Sequence, residues 1–266
     1  MGLWQRWSQD KRARFLAQQR PVVIMGRGHS GTRVLASLCT QLGVQLGTAP
    51  HLPAGDPADR AFTRHLKALA YRHLGTPVVT ARRLRRFQRA VYRYYRRLGQ
   101  PQGLWGWKFP ETYLIAPYVA RTFPLARYLH LVRDGRDVAF KRHLTDDPAR
   151  RLGRRLLAQQ GALGLPHHLQ AALSWAFQVE QFRGFAMTLP RAQLFEVRFE
   201  TLCQHPAEVM TALGVFLGVP VSPAQRAAAA ALVDPSKVAE YCKQDPEQVR
   251  DVERCIGATL RRYGYL

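Results

Sequence analysis

The chain of 266 residues lacks any apolar run of about eighteen residues, so nothing in it reads as a membrane-crossing helix. It has no C-x-x-C pair; Cys39, Cys203, Cys242 and Cys255 stand apart in stretches of helical pattern, which excludes a disulfide framework and a cysteine metal site. In place of a signal peptide's apolar core the N-terminus carries Trp4 and Trp7 among charges, so the expected compartment is the cytoplasm. Internal repeats and linkers are absent too. Above all the chain is short of acid: 18 Asp and Glu face 40 Lys and Arg, a formal charge of +22.

Such an excess calls for a polyanionic partner or surface: nucleic acid, membrane headgroups, or substrates bearing phosphate or sulfate. The basic residues run from Arg6 to Arg262 without zinc-ligand spacing or an aromatic RNA-binding signature, which sets nucleic acid aside. With 47% hydrophobic residues the chain can bury one large core, and residues 21–266 read as a single domain. Residues 1–20 read as a basic helical arm whose Trp4, Trp7 and Phe15 either meet a membrane interface or dock on the domain. The oligomeric state is not legible.

Pro21-Val22-Val23-Ile24-Met25 is an apolar strand entering a glycine-rich turn, after which Val34, Leu35, Leu38 and Leu42 recur with helical spacing. Later strand-like runs, 104–108, 127–132 and 193–198, alternate with helical pattern. That alternation predicts an α/β fold: a central parallel sheet covered by helices on both faces. Asp56 and Pro57 read as the start of a helix reaching about His73, Ser222-Pro223-Ala224-Gln225 as a capping box, and Asp245 as the cap of the last helix. Residues 82–97 form a helix with one apolar face, its many arginines either a solvated surface or a track for an acidic polymer. Residues 147–168, basic and weakly periodic, read as a mobile insertion.

The turn Gly26-Arg27-Gly28-His29-Ser30-Gly31-Thr32-Arg33 keeps the glycine frame of a Walker A loop but not its chemistry. Thr32 stands where the lysine belongs, and Arg33 where the magnesium-binding hydroxyl belongs. What remains is a nest of backbone N–H groups at a helix start, suited to phosphate or sulfate without a metal. A second motif, Leu131-Val132-Arg133-Asp134-Gly135-Arg136-Asp137-Val138, follows another strand and sets Arg133 and Arg136 at the sheet's C-terminal edge.

Together the two motifs resemble those of the sulfotransferases that use 3′-phosphoadenosine 5′-phosphosulfate (PAPS), and the likeness extends through Val197-Arg198-Phe199-Glu200-Thr201-Leu202, Phe216-Leu217-Gly218-Val219-Pro220 and Tyr263-Gly264-Tyr265. The resemblance implies the P-loop-like sulfotransferase fold and transfer of a sulfuryl group to a hydroxyl of a carbohydrate, lipid or small metabolite, anionic acceptors included. It implies donor contacts from Arg27, Gly28, His29, Ser30, Gly31, Thr32, Arg33, Arg133, Lys141 and Phe199, with PAPS or PAP as cofactor and no metal. The family's loop lysine is replaced by His29, and its serine eight residues after the motif arginine by Lys141. Lys108 is similar to the family lysine that touches the transferring group. For the base, Glu111 ranks first and His51 second, beside Asp56. The competing readings are a non-catalytic polyanion-binding protein on this fold and a divergent P-loop kinase.

Overall fold

A computed structural model of the chain describes residues 3–47 and 59–266. Four strands, β1 (Val22–Met25), β2 (Gly106–Lys108), β3 (Arg127–Val132) and β4 (Leu194–Arg198), pair in the order β2-β1-β3-β4. All three pairings are parallel; Val23 lies beside Trp107 on one side and Tyr128 on the other. In chain order the helices are α1 (Leu3–Ala17), α2 (Thr32–Gln41), α3 (Arg60–Gly75), α4 (Ala81–Arg97), α5 (Ala116–Thr122), α6 (Gly135–Ala139), α7 (Arg151–Gln159), α8 (His167–Ala186), α9 (Phe199–Gln204), α10 (Pro206–Leu217), α11 (Pro223–Ala231) and α12 (Pro246–Arg262).

β1 is apolar throughout because both of its faces are covered. Val23 and Met25 enter one core with Phe62 and Leu66 of α3, Phe87 of α4 and Phe182 of α8. Val22 and Ile24 enter a second, with Leu35 and Leu38 of α2 and Met210 and Leu213 of α10. Each large side chain so buried contributes about 1.5–3 kcal/mol, so the period-two alternation of a four-residue strand fixes which helices lie on which face.

Local signals place the helix ends. The carboxylate of Asp59 accepts from Phe62 N at 2.8 Å and caps α3; Asp56, named from the sequence for that role, lies outside the described residues. Ser222 and Gln225 form a reciprocal capping box on α11, and Asp245 accepts from Glu247 N and Gln248 N at the start of α12. Phe15 of α1 packs edge-on against Tyr92 and Tyr95 of α4, with Leu16 fully buried beside them, so this end of the basic arm docks on its own domain.

Residues 147–168 differ from the sequence reading. They contain α7, whose Leu152 and Leu156 enter the core against α3 while Arg155 Nη1 donates to Tyr71 O at 2.8 Å. Three leucines at 152, 156 and 157 make the apolar stripe, and the arginines between them obscure it in sequence.

Candidate functional site

The loop between β1 and α2 closes over two side chains from distant segments. A Cβ on Gly28 would stand 2.2 Å from the ring of His143, and one on Gly31, at φ +97°, would stand 2.6 Å from the ring of Phe199. Both glycines are therefore required by close approach, and Gly31 by conformation as well. Ser30 is buried in the loop and its hydroxyl has no hydrogen-bond partner among the described residues. Thr32, also buried, begins α2, which has no side-chain cap at its N-terminus. A buried unpaired hydroxyl beside an uncapped helix start is an arrangement that an anion completes.

Arg27 turns inward. Its guanidinium meets Asp146 Oδ2 at 2.7 Å with both side chains wholly buried, and it also donates to Gly28 O. It acts as a strut that ties the loop to the segment after α6. His29 stands at φ +69°, exposed, with Nε2 2.7 Å from Arg142 O. Although the residue is exposed at the surface, partial desolvation of its ring, with the nearby Arg27 and Lys141 charges, lowers its pKa in spite of that bond.

The second motif comes to the same place. Arg133 Nη1 donates to His29 O at 3.2 Å, and the guanidinium lies over the ring of Phe199 at 4.7 Å. Its other contacts are to Asp137 at 3.0 Å, Glu240 at 3.2 Å and the carbonyl of Lys237. Glu240 also meets Lys141 at 2.9 Å and Lys237 at 3.3 Å. Partial burial opposes its charge, but Lys141, Lys237 and Arg133 outweigh that and hold the carboxyl at about 2. An internal carboxylate thus sits among three cations.

Arg136 does other work. It clasps Asp134 at 2.7 Å and Glu253 at 2.8 Å, and donates to Tyr265 O. Glu200 accepts from Asp134 N and from the Tyr265 hydroxyl, so the 197–202 and C-terminal motifs lock the fold around the second motif.

Beyond β2, Glu111 begins a 3-10 turn (Pro110–Ile115) and is 1% exposed, yet no other described residue supplies a well-aligned hydrogen bond to either carboxylate oxygen. Facing it at 3.3 Å from Oε1 is Nε2 of His143, whose side chain is 15% exposed. Thr145 Oγ1 lies 3.0 Å from His143 Nδ1 and also accepts from Gln178 Nε2. Thr145 N also lies 3.5 Å from Nδ1, so the ring bridges Thr145 on one nitrogen and Glu111 on the other. Burial pushes Glu111 up, against the attraction of Lys67, Lys108 and Arg27. Burial and the charges of Arg27, His29, Lys67 and Lys108 push His143 well below the ordinary histidine range. A neutral imidazole beside a buried carboxylate can accept a proton.

The structure therefore gathers His29, Ser30, Gly31, Thr32, Arg133, Lys141 and Phe199 around one loop, with Glu111 and Lys108 on the adjoining strand end. Lys108 ends β2 beside Ile24, is buried, and acts electrostatically on both Glu111 and His143. Arg33 is exposed on the first turn of α2. His51 lies outside the described residues. Sequence reading missed three members: His143, Asp146 and Glu240. No spacing rule marks them, since each comes from a connecting segment; the one available signal was the place of His143 two residues past Lys141. Among the described residues no three His, Cys, Asp or Glu side chains are placed to hold a metal ion.

A model of the sulfotransferase family matches residues 21–223 of the chain. No curated protein matches its sequence. Among solved structures, sulfotransferase STF9 from Mycobacterium avium superposes with a TM-score of 0.61 at 12% identity, over 98% of this chain and 81% of that one. A sulfotransferase domain from the curacin biosynthetic pathway gives 0.56 at 16% identity, over 90% and 98%. Mouse sulfotransferase SULT7A1 complexed with PAP gives 0.52 at 13% identity, over 97% and 89%. At such identities the structural likeness is one of fold.

Proposed function

The chain belongs to the sulfotransferase family, and from that premise we propose that it moves the sulfuryl group of PAPS to an acceptor hydroxyl, with loop 26–33 at the 5′ end of the donor and Arg133 and Lys141 at its 3′-phosphate. One observation carries the reading: the buried, unpartnered Ser30 hydroxyl lies in a glycine cradle whose neighbouring carbonyl, His29 O, is already held by Arg133. The residues present fit the donor, since hydroxyls, an uncapped helix start and cations are what phosphate and sulfate oxygens require. PAP in the mouse neighbour supports the same choice. Phe199, stacked under Arg133, holds that guanidinium at the loop.

When bound, the donor supplies sulfur whose bond to the 5′-phosphate oxygen breaks, the electron pair leaving with that oxygen, as the acceptor oxygen bonds to sulfur. The protein's work is positioning and charge. Lys108 and the loop amides offset charge at the transferring and leaving oxygens. The acceptor's proton passes to the buried Glu111–His143 pair, whose Oε1 and Nε2, 3.3 Å apart, share it between carboxylate and ring. The four cysteines are free thiols, two of them exposed, which supports a reducing compartment such as the cytoplasm.

Calorimetry with PAP, followed by transfer from labelled PAPS to a panel of hydroxyl compounds, tests the reading. Saturable PAP binding with donor-dependent labelling is expected; absence of PAP binding overturns it.

A further inference from the structure

Two cavities adjoin between α3 and α7. One, of about 550 Å³, is lined by Lys67 and Arg72 of α3 and by Leu144, Arg150 and Arg151 among others. The second, of about 710 Å³, shares Tyr71 and Arg151 with the first and adds Arg154 and Arg155. Neither lining contains an Asp or Glu. Arg150 is drawn to Asp147 at 3.4 Å, but Lys67 and Arg72 have no carboxylate within ion-pair distance among the described residues. Arg151 and Arg155 bracket the ring of Tyr71 at 4.7 Å and 3.8 Å, which fixes their heads along the cleft.

The wall of the cleft adjoins the segment that carries the proton acceptor. Leu144 in its wall directly follows His143, and α3 packs on the 3-10 turn that carries Glu111. Lys67 stands close enough to bias the charge of both Glu111 and His143. Like charges crowded on the walls of a groove repel one another, and low-dielectric walls concentrate their field on whatever enters. A neutral alcohol would leave that field unanswered.

We propose that the α3–α7 cleft seats the acceptor and selects a hydroxyl compound that already carries phosphate, sulfate or carboxylate groups. This deepens the sulfotransferase reading and rests on it. The anionic groups lie against Lys67, Arg72 and Arg151, and the hydroxyl to be modified reaches back toward His143.

Calorimetry at about 0.15 M salt, with saturating PAP, would use sucrose octasulfate and myo-inositol hexakisphosphate as probes, with sucrose and myo-inositol as their neutral counterparts. The parent protein binds an anionic probe and neither neutral one. Lys67→Ala/Arg72→Ala weakens that binding by at least about tenfold, as loss of two charge-assisted contacts requires. Arg86→Ala/Arg89→Ala on the exposed face of α4 removes the same charge elsewhere and changes binding less than about threefold. A response confined to the octasulfate assigns a sulfated acceptor, and one confined to the hexakisphosphate a phosphorylated acceptor. Equal binding by parent and cleft variant, or equal losses in the two variants, overturns the proposal. PAP titration of the same samples separates the two readings: failure of PAP to bind beside cleft-dependent probe binding sinks the donor, whereas PAP binding beside cleft-independent probe binding sinks the cleft.

Discussion

Arg27 and Asp146, 119 positions apart in the chain, meet at 2.7 Å in an ion pair from which solvent is wholly excluded. Asp146 Oδ1 also accepts from His143 N at 2.8 Å. The phosphate loop and the proton acceptor are therefore two ends of one rigid link, and burial that lowers the Arg27 pKa is opposed first by the attraction of Asp146.

Breaking that link leaves a charge buried alone. Asp146→Ala is expected to destabilise the fold by about 3–5 kcal/mol, while Arg27→Met/Asp146→Leu recovers most of the loss. Denaturant unfolding of the three proteins measures both outcomes; a double variant as unstable as the single one contradicts the account.

His143→Ala should lower kcat by about 10²–10⁴, the usual worth of a positioned base, and leave the Kd for PAP unchanged. A parallel loss of PAP affinity would place the ring in the donor site instead.

The pH dependence carries a sign. A base must be unprotonated to work, and the His143 pKa is lowered, so the acidic limb of kcat/KM lies below an ordinary histidine's value of about 6.5. Glu111→Gln removes the negative neighbour, which lowers the ring's pKa further and moves the limb to still lower pH. A limb at or above the ordinary value, or an upward shift in the variant, counts against this pair.

Arg133→Ala is expected to weaken PAP by about 2 kcal/mol through the 3′-phosphate. Adenosine 5′-phosphosulfate, which lacks that phosphate, should bind both proteins alike.

Glu240→Gln removes the carboxylate that now engages Arg133 and Lys141, and PAP should bind roughly tenfold tighter, the factor that 1.4 kcal/mol supplies. Because the group is held at about 2, far below the usual 4.5, it is ionised throughout the working range and the gain should not vary above that usual value.

Much of the fold was legible because short-range rules govern it. The apolar run at Val22–Met25, the glycine frame at 26–31 and the caps at Ser222 and Asp245 all lie where the sequence puts them. The loop with Arg133 could be joined from sequence because both follow strands of one parallel sheet, whose C-terminal edge is shared. His143 and Glu240 could not. Each reaches the site from a connecting segment whose path depends on the packing of the whole chain, and neither sits at a spacing that chemistry dictates. Residues 147–168 failed for another reason: arginines equal leucines in number on α7, and only burial shows which side of a helix matters.

Glu240 also bears on how fast the protein could turn over. A carboxylate that must be displaced as the nucleotide arrives stands ready to return as it leaves, so the cation cluster is never bare and departing product competes with an intramolecular rival at high effective concentration. Such an arrangement exchanges tight holding for quick clearance, and in enzymes whose pace is set by product release the exchange favours speed.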